Sequence, residues 1–180
     1  TSTLRSPKPA QTSLVIPPRV MENSLGGFTP DGRGYVIVLD GDRETPLPWS
    51  NVLANPEFGT IVSNSGAAFT WAGNSRENRL TPFANDPLTD PTGEALYLRN
   101  DQTGEVWGAT PGPLPRRADD GRWVIRHGAG VTRYEHAVAG VRQELAIFVA
   151  PEDLERDLDR VRVDCHHQRV LVLHPVAPDV

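Results

Sequence analysis

The sequence has few of the features of disulfide-bonded, membrane-spanning or nucleic-acid-binding proteins. Its one cysteine, Cys165, cannot form a disulfide within the chain. No run of about 18 apolar residues occurs, so no segment is long enough to cross a membrane as a helix. The apolar run from Leu14 to Ile16 is too short for the core of a secretory signal. The formal net charge of −5 argues against nucleic acid as a partner.

Proline and glycine are plentiful, with 17 and 16 residues in a chain of 180. Both interrupt regular structure, so they favour short strands joined by turns over long helices. Three pairs of β-rich runs flank turn sequences at 64–66, 100–104 and 128–130, which predicts three hairpins. The predicted strands are Gly34–Leu39, Phe58–Ser63, Ala67–Trp71, Glu94–Arg99, Glu105–Trp107, Arg122–His127, Val131–Val138, Val141–Val149, Val161–Val163 and Val170–Leu173. The fold class is therefore all-β, an antiparallel β-sandwich.

The remaining segments set the domain boundaries and the long loops. Residues 1–20 have no periodicity and are predicted to be a flexible lead-in, which leaves 21–180 as one sandwich domain. Pro151–Leu158 alone has a helical pattern, with proline at the first position. Two long irregular stretches, Glu44–Glu57 and Asn74–Gly93, interrupt the strands. Long ordered loops on a β scaffold often contain functional residues.

The segment from Trp71 to Pro87 concentrates side chains that suit sugar recognition. It contains two aromatic rings, two guanidinium groups, three amides and two carboxylates. An aromatic face can cover the C–H side of a pyranose, while polar groups bond its hydroxyls. The same residue types also form the turns of ordered loops, so composition leaves both interpretations open. The candidate sugar-binding residues are Trp71, Asn74, Arg76, Asn78, Arg79 and Asp86.

The two carboxylates of this segment suggest an alternative, in which Glu77 and Asp86 hydrolyse a glycoside as a pair. Such chemistry needs one carboxyl group to be protonated. The neighbouring Arg76 and Arg79 favour ionised, salt-bridged carboxylates instead. We therefore expect no catalytic residue in the chain.

Metal and cofactor sites are not expected either. Cys165, His166, His167 and His174 match no zinc spacing, and adjacent strand residues point to opposite faces. A phosphate-binding glycine loop follows a strand and opens a helix. The glycines at 26–27 and 32–34 do not have this context, so we interpret them as turns.

Isolated histidines and tryptophans are expected to be structural. His127 and His136 lie on neighbouring predicted strands, and either could transfer protons. Hydrogen-bonded structural histidines are the commoner case. Trp49, Trp107 and Trp123 are expected to belong to the core, as most strand aromatics do.

Three stretches of the sequence, 24–37, 45–107 and 123–153, resemble the amino-terminal sandwich domain of glycoside phosphorylase family 94. This family includes cellobiose and chitobiose phosphorylases and the carboxyl-terminal portion of cyclic β-1,2-glucan synthases. The glucan synthase branch is the most similar, through the motifs NPEFG, GAAFTWAGNSRENRLTPFANDP and GEALYLRN.

The resemblance implies that the chain is an accessory domain. Family members combine this sandwich with an (α/α)6 catalytic barrel, in which an acidic residue protonates the glycosidic oxygen and phosphate attacks with inversion. That barrel would lie beyond residue 180. The implied partners are a β-linked glucan or oligosaccharide, the catalytic barrel and a second copy in a homodimer. A stand-alone carbohydrate-binding module and a purely structural or dimerisation domain are the alternatives. We expect an incomplete sandwich, whose unpaired strand edge would favour association.

Overall fold

A computed structural model describes residues 14–101, 103–138, 141–149, 161–165 and 170–173. This part of the chain consists of strands and turns, which confirms the all-β prediction. The strands are β1 Gly26–Phe28, β2 Gly34–Asp40, β3 Ser50–Ala54, β4 Phe58–Ser63, β5 Ala68–Ala72, β6 Tyr97–Asn100, β7 Val106–Gly108, β8 Arg122–Gly128, β9 Val131–Val138, β10 Val141–Phe148, β11 Val161–Cys165 and β12 Val170–Leu173. The predicted helical segment 151–158 lies outside the described residues.

The strands form one large and two small antiparallel sheets. The large sheet has the order β1-β2-β8-β9-β10-β11. The small sheets have the orders β3-β4-β5 and β12-β6-β7, and we call the first of them the β3–β5 sheet. The three predicted hairpins are confirmed, because the turns at 64–66, 100–104 and 128–130 join antiparallel neighbours.

Two expectations about local structure are wrong. Gly26 and Gly27 form strand β1 instead of a turn. A Cβ on Gly26 would lie 2.7 Å from Tyr35 Cε1, so glycine allows a close approach of β1 to β2. The stretch Glu44–Glu57 contains strand β3. The prolines around β3 concealed it, although proline is compatible with the ends of an edge strand.

The hydrophobic core lies between the large sheet and the inner faces of the small sheets. Its buried members include Ile37, Leu39, Leu53, Val62, Leu98, Trp123, Ile125, Tyr134, Leu145 and Ile147. Trp49 and Trp107 pack against this cluster, which agrees with the structural interpretation of the three tryptophans. On the other face of the large sheet, Leu14 and Ile16 pack against Val36, Val38 and Val124.

Three side chains connect the sheets across the core by hydrogen bonds: the buried Tyr134 and Gln143 and the partly buried Trp107. The hydroxyl of Tyr134 donates to the carbonyl oxygen of Ser63 at 2.6 Å, which links the large sheet to β4. Burial raises the pKa of Tyr134 far above its ordinary value. The indole N–H of Trp107 donates to Gln143 Oε1 at 2.7 Å, and Gln143 Nε2 donates to the carbonyl of Gly108. Hydrogen bonds as well as apolar contacts therefore hold each small sheet against the large sheet.

Both candidate proton-carrying histidines have structural hydrogen bonds. His127 Nε2 lies 2.9 Å from the carbonyl oxygen of Trp49, and its Nδ1 lies 3.0 Å from Thr132 Oγ1. A carbonyl can only accept, so Nε2 is the protonated nitrogen and Nδ1 accepts from the hydroxyl. His136 Nε2 donates in the same way to the carbonyl of Asp120 at 2.6 Å. Its ring stacks on Trp123 with a centroid distance of 4.0 Å.

The long connection between β5 and β6 is attached to the β3–β5 sheet by two carboxylates. Ser63 Oγ and Ser65 Oγ both donate to Asp90 Oδ2, each at 2.6 Å. Four residues later, Glu94 Oε1 accepts from Thr70 Oγ1 at 2.7 Å. A hydrogen bond to a charged acceptor is stronger than one between neutral groups. These contacts fix the loop that contains the candidate site.

We predict that His136 makes the stability of the protein depend on pH. Burial lowers its pKa from 6.5 to about 4. The unfolded chain therefore binds a proton between these pH values while the native state does not, so stability falls as the pH falls. The decrease in the free energy of unfolding that is due to His136 should approach about 3 kcal/mol at pH 4. Urea unfolding of the wild type and of His136→Gln measures it, because the variant should have a shallower pH dependence. If the stability of the two proteins changed equally with pH, His136 would not be the source of the pH dependence.

We predict that Asp90→Ala loosens the β5–β6 connection. The variant removes the acceptor shared by two serine hydroxyls, and should lower the free energy of unfolding by about 1–3 kcal/mol. Amide hydrogen exchange should accelerate between residues 81 and 93. The matched control is Asp119→Ala, since Asp119 is exposed and has no hydrogen-bond partner within the described chain. Equal effects of the two variants would show that Asp90 does not fix the loop.

Candidate functional site

The outer face of the β3–β5 sheet, opposite the core, is apolar and open. Side chains alternate along a strand, so Val52, Ile61 and Phe69 form one row across the three strands on this face. The 82–91 part of the β5–β6 connection passes beside the row and encloses a cleft of about 390 Å³. Leu47, Val52 and Phe83 in this cleft are all exposed large apolar side chains. Exposed apolar surface of this kind is typical of binding sites.

Three aromatic rings make up the centre of this surface. Phe69 and Phe83 stack with a centroid distance of 4.6 Å and an interplanar angle of 27°. Trp71 lies next to Phe69 at 5.4 Å. The Trp71 indole covers Gly59, where a Cβ would come within 2.5 Å of Trp71 Cε2. The candidate residue Trp71 is therefore part of an aromatic group that includes two phenylalanines missing from the sequence-based set.

Arg79 is held next to these rings. An isolated β-bridge pairs Arg79 with Trp71, which returns the chain from the 73–78 turn to the edge of β5. The Arg79 Cζ atom lies 5.8 Å from the Phe69 centroid and 6.0 Å from that of Phe83. Its Nε donates weakly to the carbonyl of Ser75 at 3.4 Å. The Nη groups of Arg79 have no partner among the described residues, so they remain available as donors to a ligand.

Arg76 and Asn78 are exposed in the same turn. Arg76 Nε lies 3.5 Å from Glu77 Oε1, and the two side chains are 85% and 75% exposed. A surface ion pair with this geometry contributes little to stability. Asn78 uses its backbone in the turn, since its N–H donates to the carbonyl of Asn74 and its carbonyl accepts from Ala72. Its side-chain amide has no hydrogen-bond partner in the part of the chain that the structure describes.

Asn74 and Asp86 use their side chains to form turns. Asn74 Oδ1 accepts from the backbone N–H groups of Arg76 and Glu77 at 2.8 and 3.1 Å. Asp86 Oδ2 accepts from Thr89 Oγ1 at 2.7 Å, and its Oδ1 accepts from the N–H of Leu88 at 2.9 Å. Both geometries are those of side chains that cap a turn. The six candidates thus divide into two turn formers and four residues with a ring or a donor group at the surface.

The alternative in which Glu77 and Asp86 act as a hydrolytic pair needs one protonated carboxyl group, and Asp86 does not supply it. The hydrogen bonds from Thr89 and Leu88 lower the pKa of Asp86. Asp86 is therefore ionised, as the sequence suggested, although the cause is its own turn and not a neighbouring arginine.

The described residues contain neither a metal-ligand cluster nor a membrane-spanning helix. Within the described residues, no group of three or more His, Cys, Asp and Glu side chains could hold a metal ion. The histidines at 166, 167 and 174 lie outside this part of the chain. The described residues form no helix that is long and apolar enough to span a membrane.

Several known proteins are similar to this chain. The cyclic β-(1,2)-glucan synthase NdvB of Rhizobium meliloti (strain 1021) is 43% identical over 112 residues, which are 62% of this chain and 4% of the synthase. An N,N'-diacetylchitobiose phosphorylase of Vibrio furnissii is 30% identical over 124 residues, 69% of this chain and 15% of that enzyme. A solabiose phosphorylase of Paenibacillus borealis is 29% identical over 131 residues, 72% of this chain and 16% of that enzyme.

The chain therefore spans less than a fifth of the length of these relatives. A family model described as the supersandwich domain of glycosyl hydrolase 94 matches residues 33–174, most of the sandwich. This match agrees with the antiparallel sheets and with the sequence motifs in both the strands and the 71–87 segment. The chain belongs to the glycosyl hydrolase 94 supersandwich-domain family.

Proposed function

We propose that the chain is an accessory, carbohydrate-oriented domain of a larger protein similar to the cyclic β-1,2-glucan synthases. In this proposal the outer face of the β3–β5 sheet contacts a β-linked glucan or oligosaccharide. The main supporting observation is Arg79, whose guanidinium group is fixed beside stacked aromatic rings while its Nη groups have no partner among the described residues.

This combination of groups suits a sugar because a pyranose has both apolar and polar surfaces. The exposed part of Phe83 and the half-buried Trp71 offer flat apolar surface to the C–H groups of the ring. The Nη groups of Arg79 and the amide of Asn78 are donors for hydroxyl oxygens. The neighbouring cleft of about 390 Å³ is lined by Phe83 and Asp86 and not by Trp71, Asn78 or Arg79, so it would extend the contact surface on the other side of the Phe83 ring.

The relatives indicate which sugars to test first. Their names refer to a β-(1,2)-glucan, to N,N'-diacetylchitobiose and to solabiose. Of these three relatives the synthase has the highest identity, so a β-1,2-linked glucose oligomer is the favoured ligand. Because the chain corresponds to a small part of each relative, we assign catalysis to a separate barrel domain and binding or positioning of sugar to this one.

We predict that Arg79→Ala weakens the binding of β-1,2-glucooligosaccharides. Loss of two or more donor groups should raise Kd by about tenfold, corresponding to about 1.4 kcal/mol. The change in unfolding free energy should stay within about 1 kcal/mol, since Arg79 is exposed and its guanidinium group has only cation–π contacts and one weak hydrogen bond. Titration followed by NMR measures both the affinity and the residues affected.

The matched control is Arg33→Ala, which removes an exposed arginine from the β1–β2 turn. Equal affinity of the two variants would exclude Arg79 from sugar contact. If the wild type binds no oligosaccharide, or if Arg79→Ala mainly lowers stability, the 71–87 segment has a structural role.

We predict that the chain alone does not catalyse phosphorolysis. It contains no assigned general acid, so incubation with phosphate and β-1,2-linked glucobiose should release no glucose 1-phosphate. The parent protein with Arg79→Ala should lose activity although its melting temperature is unchanged. Phosphate-dependent release of glucose 1-phosphate that copurifies with the 180-residue chain would contradict the accessory role.

A further inference from the structure

A second cavity, of about 320 Å³, adjoins the cleft, and we call it the proline-lined cavity. Four segments within the described residues surround it: 44–48 between β2 and β3, the hairpin turn at 64–65, 87–92 of the β5–β6 connection, and 111–116 between β7 and β8. Seven of its lining residues are prolines, whose rings restrict the backbone and donate no hydrogen bond. The walls are therefore in place before a ligand binds, which lowers the ordering cost of binding.

Asn64 places two unused hydrogen-bond donors at this cavity. The residue is only 5% exposed. Its Oδ1 accepts from the backbone N–H of Trp49 at 2.8 Å and lies 3.0 Å from the hydroxyl of Thr45. A backbone N–H can only donate, so this contact determines which end of the amide is oxygen and which is nitrogen. The Nδ2 group is therefore at the other end, and it has no hydrogen-bond partner among the described residues.

The Asn64 donors are accessible from the cavity. Within the described chain, the buried side-chain atoms that lack both a partner and solvent contact belong to Arg19, Arg126 and His136. Asn64 Nδ2 is not one of these atoms, and Asn64 lines the cavity. A polar group at a buried position costs free energy unless something bonds it. The Nδ2 group therefore needs an acceptor that lies inside the cavity.

Asp90 supplies a complementary acceptor. Its Oδ2 accepts from the hydroxyls of Ser63 and Ser65, while its Oδ1 has no hydrogen-bond partner in the described part of the chain. Asp90 lines both the cleft and the proline-lined cavity, so the two spaces meet at this side chain. Ser65 follows Asn64 in the hairpin turn, and its bond to Asp90 brings the carboxylate to that turn. The cavity thus offers two donors and a carboxylate acceptor.

The charged groups around the cavity favour a neutral ligand. Arg116 donates to two backbone carbonyl oxygens at 2.7 and 2.6 Å and lies 3.4 Å from Glu44 Oε1, so its charge is already engaged within the protein. An anion would be repelled by Glu44 and Asp90, and a cation by Arg116. A pair of hydroxyl groups, which can both donate and accept, suits Asn64 and Asp90 together.

We propose that the proline-lined cavity is a second binding site, which holds one pyranose unit of a neutral sugar. One hydroxyl of a vicinal pair accepts from Asn64 Nδ2, and the other donates to Asp90 Oδ1. The volume is typical of small-molecule sites and far exceeds the roughly 30 Å³ that one water occupies. The choice of a sugar rests on the proposed function, but the site is separate from Trp71 and Arg79, neither of which lines it.

NMR titration of the 180-residue chain with D-glucose tests the site residue by residue. The side-chain amide signals of Asn64 and the backbone signals of residues 64–65 and 89–92 should shift and saturate, with a Kd on the order of millimolar. Tetrahydropyran-2-methanol has the ring without vicinal hydroxyls and should leave these signals unchanged. If glucose causes no saturable shift there, water alone fills the cavity and the proposal is overturned.

The variant Asn64→Asp removes the donors and keeps the shape of the side chain. Its oxygen still accepts from Trp49 N–H, while the Kd for glucose should rise by about tenfold or more. The matched control is Asn23→Asp, since Asn23 Oδ1 also accepts from backbone N–H groups in a turn but Asn23 does not line the cavity. This control should bind glucose like the wild type. An unchanged Kd in Asn64→Asp would contradict the proposed contact.

The variant Asp90→Asn keeps the test decisive if the added charge of Asn64→Asp, near Asp90, unfolds the hairpin turn. Its oxygen can still accept from Ser63 and Ser65, while an amide nitrogen replaces the free Oδ1. Loss of this acceptor should again raise the Kd for glucose by about tenfold. A folded Asp90→Asn variant that binds glucose as tightly as the wild type would exclude the site.

The variant Arg79→Ala separates this site from the proposed function. It should leave the glucose-induced shifts at Asn64 unchanged, because Arg79 does not line the proline-lined cavity. If glucose instead shifts only residues 71–83, and Arg79→Ala abolishes those shifts, the proposed function stands and the second site does not exist.

Discussion

The arrangement of the site depends on one hydrogen bond across the core, from the Tyr134 hydroxyl to the carbonyl of Ser63. A fully buried phenol needs a partner, and this one lies on the opposite sheet. The same serine uses its side chain to bind Asp90. Ser63 therefore links the large sheet, the β3–β5 sheet and the β5–β6 connection. Hydrogen bonds made inside the protein by Ser63 therefore determine where the candidate surface lies.

The β3–β5 sheet has different roles on its two faces. Its inner face contributes Leu53 and Val62 to the core, while its outer face has the half-buried Trp71 and an open cleft on either side of the stacked Phe69 and Phe83 rings. Such a division is ordinary for an antiparallel sheet with one solvated face. Here the solvated face is aromatic instead of charged, and this makes it a candidate for ligand contact.

The sequence predicted the hairpins well because their information is local. Gly66 and Gly130, for example, have the positive φ angles that tight turns require, and glycine adopts them without strain. Strand β3 could not be found in the same way, because the surrounding prolines resemble those of a loop. Its strand conformation comes from pairing with β4, a non-local interaction that composition does not express.

The sequence predicted which segment contains the candidate site, but not how the side chains of that segment are arranged. Asn74 and Asp86 have side chains typical of sugar contacts, yet they bond their own turns. Composition cannot separate these two roles, since both use the same oxygen atoms. Phe69 was not predicted because an aromatic residue in a strand usually belongs to the core. Only the tertiary structure shows that its ring lies on the outer face of the sheet, where it is buried against Phe83.

The contact between Gly59 and Trp71 restricts how this surface can change in evolution. No side chain fits at position 59 while the indole covers it. A larger residue there would require a smaller one at position 71, so the two positions should vary together among homologues. A lineage that keeps Gly59 but replaces Trp71 with a small residue would expose bare backbone near the start of β4. We therefore expect the pair to be inherited as a unit, and the aromatic surface to be lost or kept with it.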